Sequence, residues 1–164
     1  MKTLILYATK YGAAREIARR IAGEMDTSAI YDLKQGELPA LSDFDCVIVG
    51  SSLYAGMIRK DAKAFLAKNA GALRDKRLGL FLSGMDADAA RINGYFASNF
   101  PAELLGAAKV TASPGGIYNP KKAGFWERAI FKLAAKQADY ADSIDNDKIA
   151  EFAKALKGTG NETL

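Results

Sequence analysis

Residues 4–22, LILYATKYGAAREIARRIA, open as an unbroken apolar run and close on a helical pattern. The run at 3–8 is rich in β-formers and carries no charge, which predicts a strand buried on both faces. Residues 13–25 then place Ile17, Ile21 and Met25 four apart, with Arg15, Arg19 and Arg20 on other faces. That is the spacing of an amphipathic helix. Between strand and helix stands ATKYGAA, a turn with a hydroxyl, a lysine and one glycine. The first N–H groups of a helix have no intrahelical partner, and the helix dipole there favours an anion. Gly12 lets the backbone approach a bound group, Thr9 offers a hydroxyl and Lys10 adds charge. An ordinary strand-to-helix turn capped by Thr9 gives the same pattern, so this loop alone does not decide.

The same alternation continues along the chain. Runs at 44–52 (FDCVIVGSS), 77–84 (RLGLFLSG) and 107–114 (AAKVTASP) read as further strands, and SAIYDL at 28–33 as a weaker one. Helical patterns fill 59–70, 88–99 and 146–157. Apolar strands alternating with helices predict an α/β domain, a doubly wound five-stranded parallel sheet of order 2-1-3-4-5. No repeat or linker divides it, so 1–164 is expected to be one domain. In such a sheet ligands bind beyond the carboxyl ends of the strands, where the order reverses. The loops after the first and third strands therefore matter most.

Composition narrows the chemistry. The 164 residues are 49% hydrophobic and 26% charged, with no histidine and a single cysteine. A zinc centre or a Ser-His-Asp triad is thereby excluded as a reading, and so is an internal disulfide framework. Cys46, inside DCVIVG, is expected to be a small buried hydrophobe. No apolar run has the length of a membrane span and no leader pattern precedes the first strand, so a cytoplasmic location is expected. The net charge of +4 is concentrated. Residues 1–20 hold five cations and one acid, and 115–140 hold Lys121, Lys122, Arg128, Lys132 and Lys136 against Glu127 and Asp139. Such clusters favour anionic partners.

Known phosphate grips are missing. G-x-x-x-x-G-K-[ST] is absent, and no G-x-G-x-x-G follows the first strand. A phospho-acceptor domain of this strand order needs acids at the first strand's end and an aspartate ending the third. LYAT and IVGSS supply neither. The second loop, SSLYAGM (51–57), offers two hydroxyls, an aliphatic and an aromatic face and a glycine, which suits a flat heteroaromatic ring. SGMDADAA (83–90) is placed to close the far side.

Taken together, MKTLILYATKYGAAREIA, VIVGSSLYAGM and the late block GGIYNPKKAGFWERAIFKLAAK resemble the flavodoxin family. Within it, the resemblance is to the bacterial menaquinone-dependent protoporphyrinogen oxidase subgroup. It runs over most of the chain and is weakest at 28–42 and 86–106. It implies flavin mononucleotide (FMN) as cofactor. The phosphate would lie on Thr9, Lys10, Tyr11, Gly12, Ala13 and Ala14, and the ring against Ser51, Ser52, Leu53, Tyr54, Ala55 and Gly56. Ser83, Gly84 and Met85, with Gly115 and Gly116, would complete the site. Ala14 stands where the family usually has Ser or Thr, so one phosphate hydrogen bond must come from elsewhere, with Lys10 the candidate, and a weaker grip on FMN is expected. No catalytic acid or base is nominated; Asp86 and Asp88 are expected to face solvent.

The late block is the subgroup's mark, an insertion over 115–140. On a helix over 123–136, Trp126, Ala129, Ile130, Leu133 and Ala134 share an apolar arc beside the cations Arg128, Lys132 and Lys136, and Phe131 falls outside it. One reading is an extra helix packed on the sheet. The other is a basic, aromatic lobe facing an anionic apolar substrate, a quinone or the inner face of a membrane as a peripheral contact. Nucleic acid is not expected, because no recognition motif accompanies the charge. Three functions remain open: an FMN-dependent oxidoreductase, a non-enzymatic electron carrier and a flavin-free scaffold.

Overall fold

The computed structural model describes residues 1–134 and 139–158. Five parallel strands form the sheet: β1 (Lys2–Ala8), β2 (Thr27–Asp32), β3 (Cys46–Tyr54), then, beyond a two-residue strand β4 (Met57–Ile58), β5 (Arg77–Ser83) and β6 (Val110–Ala112). Their order is β2-β1-β3-β5-β6, the predicted 2-1-3-4-5 of the parallel strands. Within this sheet, among the described residues, only β4 runs antiparallel, folding back on the end of β3.

Both faces of the sheet are covered, and the strand periodicity shows how. In β1, Leu4 and Leu6 join one core with Val47, Val49, Leu66 and Leu80. Ile5 and Tyr7 point the other way, to Ile17, Ile21, Ile48 and Phe152. The first core lies under α2 (Lys60–Arg74), α3 (Ala89–Asn99) and α4 (Ala102–Ala107); the second lies under α1 (Ala13–Glu24) and α6 (Asn146–Lys157). Gly50 fits here because a Cβ would stand 2.0 Å from Cζ of Phe81, which fills the second core. Cys46 is fully buried, and burial pushes its thiol up to about 11.

Two segments depart from the sequence reading. The last parallel strand is only Val110–Ala112 where 107–114 was expected, and helix α4 takes Ala107 as its last residue. The late block begins with β7 (Ile117–Tyr118), which pairs with β8 (Ala141–Asp142) just beyond the block as a separate two-stranded ribbon, with helix α5 (Phe125–Ala134) between them in sequence. Lys136 lies outside the described residues. Among the described residues, no helix is long and apolar enough to cross a membrane.

Candidate functional site

Three loops meet at the carboxyl ends of β1, β3 and β5, where the strand order reverses. The loop after β1 is shaped by Gly12, whose φ of 103° is left-handed backbone that a side chain would strain. Its N–H donates to Oγ1 of Thr9 at 2.9 Å, which fixes the turn. Helix α1 starts at once, and its first backbone bond runs from Glu16 N–H to the Gly12 carbonyl. The N–H groups of Ala13, Ala14 and Arg15 precede that bond, at the positive end of the helix dipole. Beside this turn lies a shallow open concavity of about 570 Å³ whose walls include Thr9, Gly12, Arg15, Lys122 and the acid Asp32. Ala14 itself is fully buried beneath the turn.

Lys122 is a cation that the sequence reading did not assign to this loop. Its Nζ lies 3.4 Å from the Tyr11 carbonyl and 3.8 Å from where a Gly12 Cβ would stand. Lys10, expected to supply the phosphate bond that Ala14 lacks, is engaged elsewhere. Its Nζ is 2.6 Å from Oε1 of Glu127 and 3.3 Å from the centre of the Tyr54 ring. Desolvation opposes the Lys10 charge, but the hydrogen bonds with Glu127, Tyr11 and Tyr54 outweigh it and raise its pKa. Lys122 and Arg15 line the concavity beside the first loop together with Lys10.

The loop after β3 forms the next wall. The Lys10 N–H donates to Oγ of Ser52 at 3.1 Å, tying this loop to the first. Ser51 is buried and structural: its Oγ accepts from Arg59 N–H at 2.9 Å and donates to the Ser52 carbonyl. β3 then turns into β4 through Ala55 and Gly56, both at positive φ, as a type I′ hairpin requires. These two residues sit at the tip, away from the cavity lining. The hairpin is pinned from α3, where Asn99 accepts from Ile58 N–H and donates to the Gly56 carbonyl, both at 2.9 Å. Asp86, in the third loop, is paired with Arg91 at 2.7 Å, and Asp88 caps α3 through Arg91 N–H. Neither acid is directed at the cavity.

Ser83, Gly84 and Met85 face the hairpin, and residues 115–118 close in behind them. Gly116 has no room for a Cβ, which would lie 3.0 Å from the Gly84 carbonyl carbon. Gly115 does not line the cavity; its carbonyl accepts from Gly84 N–H at 3.1 Å and its α-carbon packs against Ser143. The resulting cavity of about 130 Å³ is walled by Leu53, Tyr54, Gly84, Tyr118, Glu127 and Phe131, among others. Lys10 and Tyr11 line both this cavity and the open concavity beside it. A larger open groove of about 470 Å³ between α3, β6 and α6 gathers no comparable set of converging polar groups.

Helix α5 reaches this site with the side opposite to the predicted arc. Phe131, expected off the arc, stacks on Tyr118 with ring centres 4.4 Å apart. Glu127 accepts from Lys10, from the Tyr11 hydroxyl and from Gly124 N–H. The last contact makes it a capping residue for its own helix, three positions beyond Gly124. Desolvation works against its charge, yet those hydrogen bonds prevail and hold its carboxyl down to about 2. Glu127 was not singled out from sequence; the G-x-x-E spacing at a helix start was the available signal. Trp126, Ile130 and Leu133 point outward, so packing on the sheet is not the role of this arc. Nothing is described of the Ala134 side chain.

The family model described as Flavodoxin domain matches residues 4–145. The chain belongs to the flavodoxin family. The protoporphyrinogen IX dehydrogenase (quinone) of Escherichia coli K12 is 34% identical over 74 residues, covering 43% of this chain and 41% of that protein. The matched part is thus well under half of that relative. Among solved structures, a short-chain flavodoxin associated with a PDU bacterial microcompartment superposes with a TM-score of 0.60 at 17% identity, covering 95% of this chain and 96% of the other. A Streptococcus pneumonia flavodoxin gives 0.59 at 17% identity, covering 95% and 97%. At that identity these two structures establish the fold alone.

Proposed function

We propose that this flavodoxin-family chain binds FMN and works as an oxidoreductase, with protoporphyrinogen as reductant and a quinone as acceptor the first pair to assay. The observation that carries the reading is the junction at Lys10 and Tyr11, where an anion cradle opens directly into an aromatic-walled slot. The residues fit the group. Backbone N–H groups at the start of α1, with Lys122 and Arg15 at the rim, suit a phosphate. Leu53, Tyr54 and Tyr118 suit a flat ring, and Gly84 and Gly116 bring backbone close to it. When bound, FMN supplies electron exchange between organic donors and acceptors.

The chain's own part is binding and exclusion of water. The slot, about 130 Å³, is smaller than the roughly 300 Å³ at the lower end of organic ligand sites. Ring entry therefore requires α5 to yield at its Glu127 contacts, while the cradle stays as it is. The partial identity to the Escherichia coli dehydrogenase supports the substrate choice, and the basic charge of +4 weighs against a carrier that meets basic partners. The carrier reading keeps one observation in its favour: Tyr54 and Met57 are exposed on the hairpin beside the cavity.

One preparation separates the readings. The purified chain is titrated with FMN, then supplied with protoporphyrinogen and menadione. FMN binding with turnover supports the enzyme. FMN binding without turnover, but with electron transfer between added protein partners, supports the carrier. Failure to bind FMN at any concentration overturns the proposal.

A further inference from the structure

We infer that Lys122 is the counter-ion of the flavin phosphate and, through that contact, the tether that keeps the late block on the domain when Glu127 gives way to the ring. The inference rests on the FMN reading and adds to it a coupling between the two ends of the cofactor. Lys122 is delivered by a closed turn. Its own N–H and that of Ala123 both donate to the Asn119 carbonyl, at 3.0 and 3.1 Å, and Lys121 N–H donates to Oδ1 of Asn119. That turn follows β7 directly, and β7 is fixed at the sheet's end: Tyr118 is buried, and just upstream the Gly115 carbonyl accepts from Gly84 N–H at 3.1 Å. From this anchored turn the Lys122 side chain crosses to the first loop, where its Nζ stands 3.8 Å from the position of a Gly12 Cβ.

The contact made there is incomplete. Lys122 donates to the Tyr11 carbonyl at 3.4 Å, longer than the roughly 2.7–3.2 Å of a good N–H···O bond. Among the described residues neither Lys122 nor Arg15 is in an ion pair, whereas Lys10 is committed to Glu127. Asp32 is the acid on the wall of this concavity, and its Oδ1 accepts from Lys34 N–H. Two uncommitted cations against one acid leave the concavity net positive. Lys122 is completed by a phosphate dianion, through a charge-assisted hydrogen bond stronger than a long bond to a neutral carbonyl. It also makes good the hydroxyl that Ala14 lacks. The same segment has the opposite relation to the ring. Glu127, five positions beyond Lys122, lines the slot of about 130 Å³ that a ring must enter. The segment therefore lets go at Glu127 for the ring and holds on at Lys122 for the phosphate. With FMN it exchanges one anchor for another; with a flavin that has no phosphate it only loses one.

FMN and riboflavin differ only in the phosphate, so the pair separates the two ends. The full chain and a Lys122→Gln variant are titrated with each, followed by flavin fluorescence. Expected in the variant is a loss of about tenfold in FMN affinity with riboflavin affinity unchanged. The difference should shrink in high salt. Lys122→Arg should recover most of the loss. Limited trypsin digestion reads the tether. Cleavage after Arg128 and Lys132 should be faster with riboflavin bound than with FMN bound, and equally fast with either in Lys122→Gln. The counter-ion is overturned if the ratio of FMN to riboflavin affinity is the same in parent and variant, whether both affinities hold or both fall. Equal cleavage of the parent in its two complexes would overturn the tether. Failure of both flavins to bind the parent would bring down the FMN reading itself and this inference with it, a result distinct from the other two.

Discussion

Helices α1 and α5 carry the same kind of pattern and meet opposite fates. In α1, Ile17 and Ile21 are 0% and 1% exposed beneath the sheet, Arg15 and Arg19 face out, and Arg20 pairs with Asp142 of β8. In α5, an equally apolar arc is left in solvent, and the face with the glutamate and Phe131 turns inward. Periodicity tells which residues share a face; what covers that face is set by topology. α1 follows a strand directly and is bound to lie on the sheet. α5 hangs from the β7–β8 ribbon and touches the domain chiefly through side-chain contacts at Lys10, Tyr11 and Tyr118.

The largest effect expected from this contrast is on stability. Ile17→Ala removes a fully buried side chain from the second core and should cost about 2–5 kcal/mol in urea unfolding. Ile130→Ala should fall within about 0.5 kcal/mol of the parent, although both residues sit on apolar helix arcs. Comparable losses at the two positions would mean that α5 packs on the domain through its outer face.

Next in size is the hairpin that walls the slot. Asn99→Ala leaves the Ile58 N–H and the Gly56 carbonyl without their partner, at about 2 kcal/mol. The loss should also weaken FMN binding, read by flavin titration, because the wall loop is no longer held. Asn99→Asp keeps the acceptor for Ile58 and forfeits the donor to Gly56, so it should fall between the two. Equal affinity in all three proteins would show that the hairpin positions nothing.

The contacts of α5 should yield more readily. Glu127→Gln keeps the shape and removes the charge that Lys10 pairs with, a change of about 1 kcal/mol at this partly open rim. Trp126 anisotropy should drop while the urea midpoint barely moves. Acid should act alike. The carboxyl of Glu127 is held down to about 2 from an ordinary 4.5, so its contribution is complete above about 4.5 and fades as pH falls toward about 2. Anisotropy that follows pH identically in parent and Gln variant would sever α5 from this carboxylate.

The same contrast governs how much was legible in advance. Strands β1, β3 and β5, and the helices between them, could be read because burial on both faces leaves long uninterrupted apolar runs. The two-residue strands β7 and β8 leave no periodic trace, since they pair across more than twenty intervening residues. The last strand is three residues long, and the short helix α4, which opens after Pro101, ends just ahead of it. Within the site, the loop residues were located by topology, since the carboxyl ends of neighbouring strands must converge. Lys122 and Glu127 were not located, because they arrive from an insertion whose placement depends on the ribbon. Arc analysis also placed Phe131 outside the apolar face. That was correct, and the face it left turned out to be the outward one.

The smallest effect is a test of strain at the hairpin tip. Ala55 holds φ at 50°, a left-handed conformation that costs an L-residue with a Cβ about 1 kcal/mol or slightly more. Ala55→Gly removes that cost, but the unfolded chain gains freedom worth about 0.5–1 kcal/mol, which opposes the gain. The balance is a stabilisation of about 0.5 kcal/mol at most, visible as a small rise in the urea midpoint with unchanged slope. A loss instead would mean that the surroundings already relieve Ala55, for Tyr54 and Met57 on either side are fixed by the β3–β4 pairing. The sign of so small a change therefore tells whether the wall of the slot is set by its own turn or by its attachment to α3. A gain places the strain in the turn, and a loss places the control at Asn99.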